Sequence, residues 1–119
     1  MPLKFFGIVF SIIFFLGCKK DVPKYSLQYE VRKRAGNQSA FSIQFTDPSQ
    51  ATVSTGTVDT VLWQSALYTE VEDGVKYRIE VLVEKGNPSF DILVRKENSI
   101  IAKKEIRKSQ QEYIIEGEM

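Results

Sequence analysis

The side chains able to do chemistry here are few in kind. Among 119 residues there is one thiol, Cys18, and no His. That excludes a Ser-His-Asp or Cys-His couple, a His-ligated zinc and an imidazole pH switch, since each needs a ring nitrogen titrating near neutrality. A lone Cys also excludes an intramolecular disulfide and a thiolate zinc cluster. The densest acidic group is Glu70, Glu72 and Asp73, just ahead of Gly74. Closely spaced carboxylates suit calcium, which takes about six to eight oxygen ligands. An EF-hand would place acids at alternating positions before the Gly and a Glu further on, and this segment supplies only part of that. Its expected role is an acidic solvated turn, and no metal or cofactor is expected. As a glycosidase pair these carboxylates would need one member in an apolar pocket with a raised pKa, and nothing in the sequence marks one. Ser-Lys chemistry would need a buried Lys, and no Ser-x-x-Lys follows Cys18. An enzyme is not expected.

Two further groups could bind rather than react. Lys103, Lys104, Arg107 and Lys108 place four positive charges within a short span. Near a charged surface each would attract anionic head groups or an acidic partner by about 1 kcal/mol. The same residues on an edge strand would block edge-to-edge aggregation, and that role is the favoured expectation. Arg32, Lys33 and Arg34 form a second cluster at an expected strand end, open to the same two readings. Trp63 is the sole Trp and stands beside Leu62 in a strand-like run. Burial between sheets is its expected role, whereas an exposed Trp would anchor an interface. With 16 Lys plus Arg against 15 Asp plus Glu, the chain lacks the basic excess of a nucleic-acid binder.

The first 17 residues differ from the rest. Lys4 supplies a positive start, and Phe5 to Leu16 is apolar except for Gly7 and Ser11, with five of the chain's eight Phe. Twelve helical residues rise about 18 Å, short of a hydrocarbon core of about 30 Å, so the run suits a signal peptide better than a membrane span. It ends Phe15-Leu16-Gly17-Cys18, then turns polar at Lys19-Lys20-Asp21. This resembles the lipobox of bacterial lipoproteins, with Phe15 in place of the usual Leu. The resemblance implies cleavage before Cys18 and a lipid anchor on its thiol, carrying diacylglycerol and acyl chains such as palmitate. Each buried methylene adds about 0.8 kcal/mol, so two or more chains hold durably where one does not. Lys19, where Asp would resemble an inner-membrane retention signal, leans toward the outer membrane, on its periplasmic side or at the cell surface.

The elements that must position these groups lie in the 102 residues left after residue 17, one domain in size. Tyr77, Ile79, Val81 and Val83 alternate with Lys76, Arg78, Glu80 and Glu84, leaving Leu82 alone among the outward residues as apolar. Phe90, Ile92, Val94 and Phe41, Ile43, Phe45 repeat the pattern, and Leu27, Tyr29 and Val31 share its period. These are half-buried strands. Turn residues fall at Gly36-Asn37, Asp47-Pro48-Ser49, Asp73-Gly74, Gly86-Asn87-Pro88 and Glu97-Asn98-Ser99, a spacing that reads as an antiparallel sandwich or barrel. Gly86-Asn87-Pro88 reads as a hairpin turn. Residues 102–111 are helix-friendly, but strand-like flanks argue against a long helix there. The expected layout is a signal peptide at 1–17, lipidated Cys18 and tether at 18–24, and an all-β domain at 25–119.

Read in order, Tyr25-Ser-Leu-Gln-Tyr-Glu-Val31, Phe41-Ser-Ile-Gln-Phe-Thr-Asp-Pro48, Val61-Leu-Trp63, Val71-Glu-Asp-Gly74 and Tyr113-Ile-Ile-Glu-Gly117 resemble the MmpS-type transport accessory domain. The chain departs from that pattern in lacking a Pro before Trp63, in having Lys96-Glu-Asn-Ser99 for an Asp-Gly turn, and in having Arg107-Lys-Ser-Gln110 for a Gly-rich stretch. The resemblance implies a single antiparallel immunoglobulin-like β-sandwich outside a membrane, acting in some relatives beside an exporter. The expectation is thus a non-enzymatic, lipid-anchored envelope protein, a transport accessory or protein-interaction module whose partner is a transporter or other envelope protein. The alternative is a lipoprotein holding a small apolar ligand, a lipid or siderophore, between its sheets.

Overall fold

The computed structural model describes residues 23–107 and 113–119. Among these residues nine strands run in chain order: β1 (Lys24–Lys33), β2 (Ala40–Thr46), β3 (Thr52–Val58), β4 (Leu62–Gln64), β5 (Tyr68–Glu72), β6 (Lys76–Lys85), β7 (Phe90–Lys96), β8 (Ser99–Ile106) and β9 (Tyr113–Glu118). They form two antiparallel sheets. In the first, β4 and β5 lie one after the other along one side of β1, with β7 and β8 on its other side. The second has the order β3-β2-β6-β9. The domain is an all-β sandwich.

Two-residue alternation is what fuses the sheets. Leu27, Tyr29, Val31, Ile92 and Val94 from the first sheet and Phe41, Ile43, Ile79 and Val81 from the second are fully buried, on the faces the sequence period assigns to the core. Aromatic rings carry much of the contact between the sheets. Phe90 of β7 lies 5.2 Å from Phe41 and meets Tyr113 edge-on at 5.6 Å; Phe45 lies 5.1 Å from Tyr29 and 5.6 Å from Trp63.

The order β9-β6-β2-β3 matches the G-F-C-C′ order of an immunoglobulin sheet, and β5-β1 stand as its E-B pair. The first strand of that arrangement has its place taken by β7, from a hairpin inserted between β6 and β9. This corrects the reading of Gly86-Asn87-Pro88 as a hairpin turn. Both sides of β6 are already paired, by β2 and β9, so β7 has no place beside it and crosses to β1. Gly86 turns with φ +85, and a Cβ there would come within 3.1 Å of Ser39 Cα. Asn37 fastens the crossing by donating its amide to the Asn87 carbonyl at 2.7 Å. The true tight reversals are at residues 47–51 and 97–98. In the first, Asp47 accepts from the Ser49 hydroxyl and from the Ser49 and Ala51 amides, and the Ser49 hydroxyl above all holds its carboxyl below the usual carboxylate pKa.

One side chain locks sheet to sheet by a polar contact. The pairing of β2 with β6 ends at Phe45↔Ile79. Beyond it, the Tyr29 hydroxyl reaches across from β1, donating to the Thr46 carbonyl at 2.8 Å and accepting from the Arg78 amide at 3.2 Å. It therefore takes two groups of adjacent strands just where their ladder stops. Burial pushes the Tyr29 pKa above its ordinary 10.0, so folding favours the neutral phenol. That stabilisation is fully present below the unfolded value near 10.0 and is lost as pH rises through the folded value. Tyr29→Phe is expected to cost about 1–3 kcal/mol at neutral pH, because two part-buried backbone groups lose their partner. Urea unfolding followed from pH 7 upward should show the variant's deficit shrinking above about 10. A deficit constant across that window would mean that the phenol ionises equally in both states.

Candidate functional site

Of the basic group 103–108, Lys103, Lys104 and Arg107 do not form one patch. Among the described residues β8 pairs with β7 alone, which makes it an edge strand. Lys104 stands opposite Ile92 on the core-facing series of that edge, with Ala102 and Ile106, and is exposed. A cation in that place keeps another strand from docking. Lys103 stands on the other face and pairs with Glu105 at 3.4 Å. Arg107 turns back onto β7, reaching Asp91 at 3.0 Å and the Phe90 carbonyl at 3.2 Å. Lys108 lies outside the described residues, as does Cys18.

The cluster 32–34 is also split. Lys33 continues the inward series of Leu27, Tyr29 and Val31. Its ammonium sits 5.5 Å from the Phe41 ring centroid and 3.2 Å from Asp59, with the side chain buried. Arg32 turns outward to Glu30 and Arg34 toward Asp91. The acids of 70–73 disperse as well: Glu70 pairs with Lys24 and Asp73 with Lys96, each at 3.5 Å. Among the described residues no three acids or thiols gather as a metal site. Trp63 is half-buried against the core, while Val61, Leu62 and Leu67 around it are exposed at 66, 46 and 58%.

Sequence reasoning missed a carboxylate buried on an outer face. Glu30 stands between Gln64 of β4 and Leu93 of β7 and is 1% exposed. Arg32 reaches its Oε2 at 2.8 Å; Arg95 at 3.5 Å and the Gln64 amide at 2.9 Å share Oε1. Glu30 and Arg32 of β1 meet Gln64 and Arg95 from distant parts of the chain here, which no local pattern announces.

A second feature missed is a cleft of about 380 Å³ lined by Thr46, Gln50, Lys76, Tyr77, Arg78, Glu116, Gly117 and Glu118. It opens where β2 and β6 part beyond Phe45↔Ile79. Gln50 adopts a left-handed conformation, φ 71, and its amide donates to the Lys76 carbonyl at 2.9 Å, closing one side. Arg78 is held by Glu80 at 2.6 Å and lies 3.9 Å from Glu116. Gly117 faces Tyr77 across the ladder; a Cβ there would come within 2.6 Å of Tyr77 Cζ, so only glycine lets the phenol ring lie over β9. Thr46 Oγ1 is buried without a hydrogen-bond partner. Cationic, anionic and hydroxyl-bearing residues thus line one cleft. No sequence signal announced this cleft, because the left-handed conformation beside it belongs to a non-glycine, Gln50.

No protein-family model matches the chain, and no curated protein matches it.

Proposed function

We propose that the protein is a lipid-anchored, non-enzymatic component of the bacterial cell envelope, held at the outer membrane through Cys18 and serving as a transport accessory or protein-interaction module. The observation that carries this is the junction itself. An apolar run closes on Gly17-Cys18, and β1 begins only six residues later at Lys24. Such a chain delivers a folded domain directly to the membrane surface. The edge at β4 supports an interaction role: Val61, Leu62 and Leu67 expose apolar surface beside a short strand that pairs on one side. An extended segment of a partner can pair with that edge and bury those residues. The rings meeting across the core occupy the space that a lipid or siderophore between the sheets would need.

The test is the intact mass and membrane partitioning of wild type and Cys18→Ala made in a Gram-negative host. Wild type should lack residues 1–17, carry acyl mass and sediment with membranes, and the variant should do none of these. Two unmodified proteins would refute the lipid anchor and leave residues 1–17 as an uncleaved anchor or an ordinary signal.

A further inference from the structure

We infer that the cleft between the 47–51 turn and the ends of β6 and β9 binds a zwitterion of the phosphoethanolamine class, its phosphate on Lys76 and its ammonium on Glu118. Lys76 and Glu118 stand opposite one another in the β6–β9 register. Opposite charges so placed ordinarily pair. Here neither forms an ion pair with the other or with any other described residue, as the neighbouring pairs of Arg78 do. Both sit on the lining of one cleft, a cation and an anion left available within reach of a single small molecule.

The remaining groups set the class. Arg78 adds a cation already fixed by Glu80 and Glu116, so it offers field rather than a mobile partner. A bare anion would meet Glu116 and Glu118, and a bare cation would meet Lys76 and Arg78; a molecule carrying both charges meets complementary partners at each end. The volume of about 380 Å³ suits a small polar molecule.

Placement points to the source, and this part rests on the lipid-anchor proposal. The cleft lies at the end of the sandwich where β1 begins: Lys76 and Glu118 are the terminal pair of β6–β9, as Lys24 and Glu72 are of β1–β5. Six residue steps of at most about 3.5 Å join Lys24 to Cys18, so a lipid there keeps this end within about 20 Å of the head groups. A phosphatidylethanolamine head group and a soluble glycerophosphoethanolamine present the same two charges to the cleft.

Full-length protein in detergent micelles, titrated with glycerophosphoethanolamine and followed by the amide resonances of Lys76, Gly117 and Glu118, tests the site. Saturable shifts with a Kd on the order of 1 mM are expected. Lys76→Gln and Glu118→Gln should each weaken binding about tenfold with other resonances unmoved. No saturable shift up to about 10 mM overturns the proposal. Inorganic phosphate binding as well as the zwitterion, with Glu118→Gln tightening it, overturns the zwitterion class. In nanodiscs, shifts present with phosphatidylethanolamine and absent with phosphatidylcholine alone assign the head group as the source; shifts appearing only on addition of the soluble compound assign the soluble source. Unacylated Cys18→Ala should still bind the soluble compound, so failure of the anchor and failure of the cleft give different results.

Discussion

Phe90→Ala is expected to lower the unfolding free energy by about 3–5 kcal/mol, the cost of losing a buried aromatic ring and leaving its volume unfilled. Phe90 is fully buried and touches rings on the opposite sheet, Phe41 at 5.2 Å and Tyr113 at 5.6 Å. It is also the first residue of β7, the strand that crosses from the β6 end to take its place beside β1. The substitution therefore loosens both the sheet-to-sheet contact and the crossing. Against a total stability of about 5–15 kcal/mol, the loss leaves a marginal domain. Urea unfolding of wild type, Phe90→Leu and Phe90→Ala should give midpoints falling in that order, the Leu variant retaining most of the stability. A loss under about 1 kcal/mol for Phe90→Ala would mean that the rings do not hold the sheets together.

The second large effect concerns Glu30. Its carboxylate is buried, while the side chains of Arg32 and Arg95 are 52 and 27% exposed. The asymmetry fixes the direction of the result. Removing Glu30 leaves two cations that water still reaches; removing both cations leaves a buried anion with the neutral Gln64 amide. Arg32→Met with Arg95→Met is expected to cost about 3–5 kcal/mol, as for a buried pair broken from one side. Adding Glu30→Leu should restore most of that loss, since Leu93 stands beside it in the register and an apolar replacement for a buried ionic group is often neutral or better. Chemical denaturation of the double and triple variants reads this directly. A triple variant no more stable than the double would show that the cost lay in lost arginine packing.

These two sites differ in how visible they were beforehand. Phe90 belongs to the alternating series Phe90, Ile92, Val94, and a two-residue period places such a series on one face whatever the partner strand. Glu30 obeys the same period, which puts it outside; its burial comes from Gln64, Leu93 and Arg95, which reach it through pairings with β4 and β7. Lys33 is an intermediate case. Its parity with Tyr29 and Val31 was in the sequence, yet its charge made it read as part of a surface cluster with Arg32 and Arg34. The inward path is tolerated because the buried ammonium meets the Asp59 carboxylate and the Phe41 ring.

Local sequence alone set the strands of the core, the residues that face it, the class of fold and most of the turns, because these follow from alternation and from backbone preferences of Gly, Pro, Asn and Asp. It likewise set the limits on chemistry through the absence of His and the single Cys. Long-range packing settled that β6 passes to β7 across the sandwich and not through a hairpin, that the basic residues of β8 divide between two faces, that Glu30 is enclosed, and that β2 and β6 part around the Tyr29 hydroxyl to open a cleft. Each of these depends on which strands become neighbours. Pairing is settled by the summed burial of residues far apart in the chain, and no local stretch of sequence carries that sum.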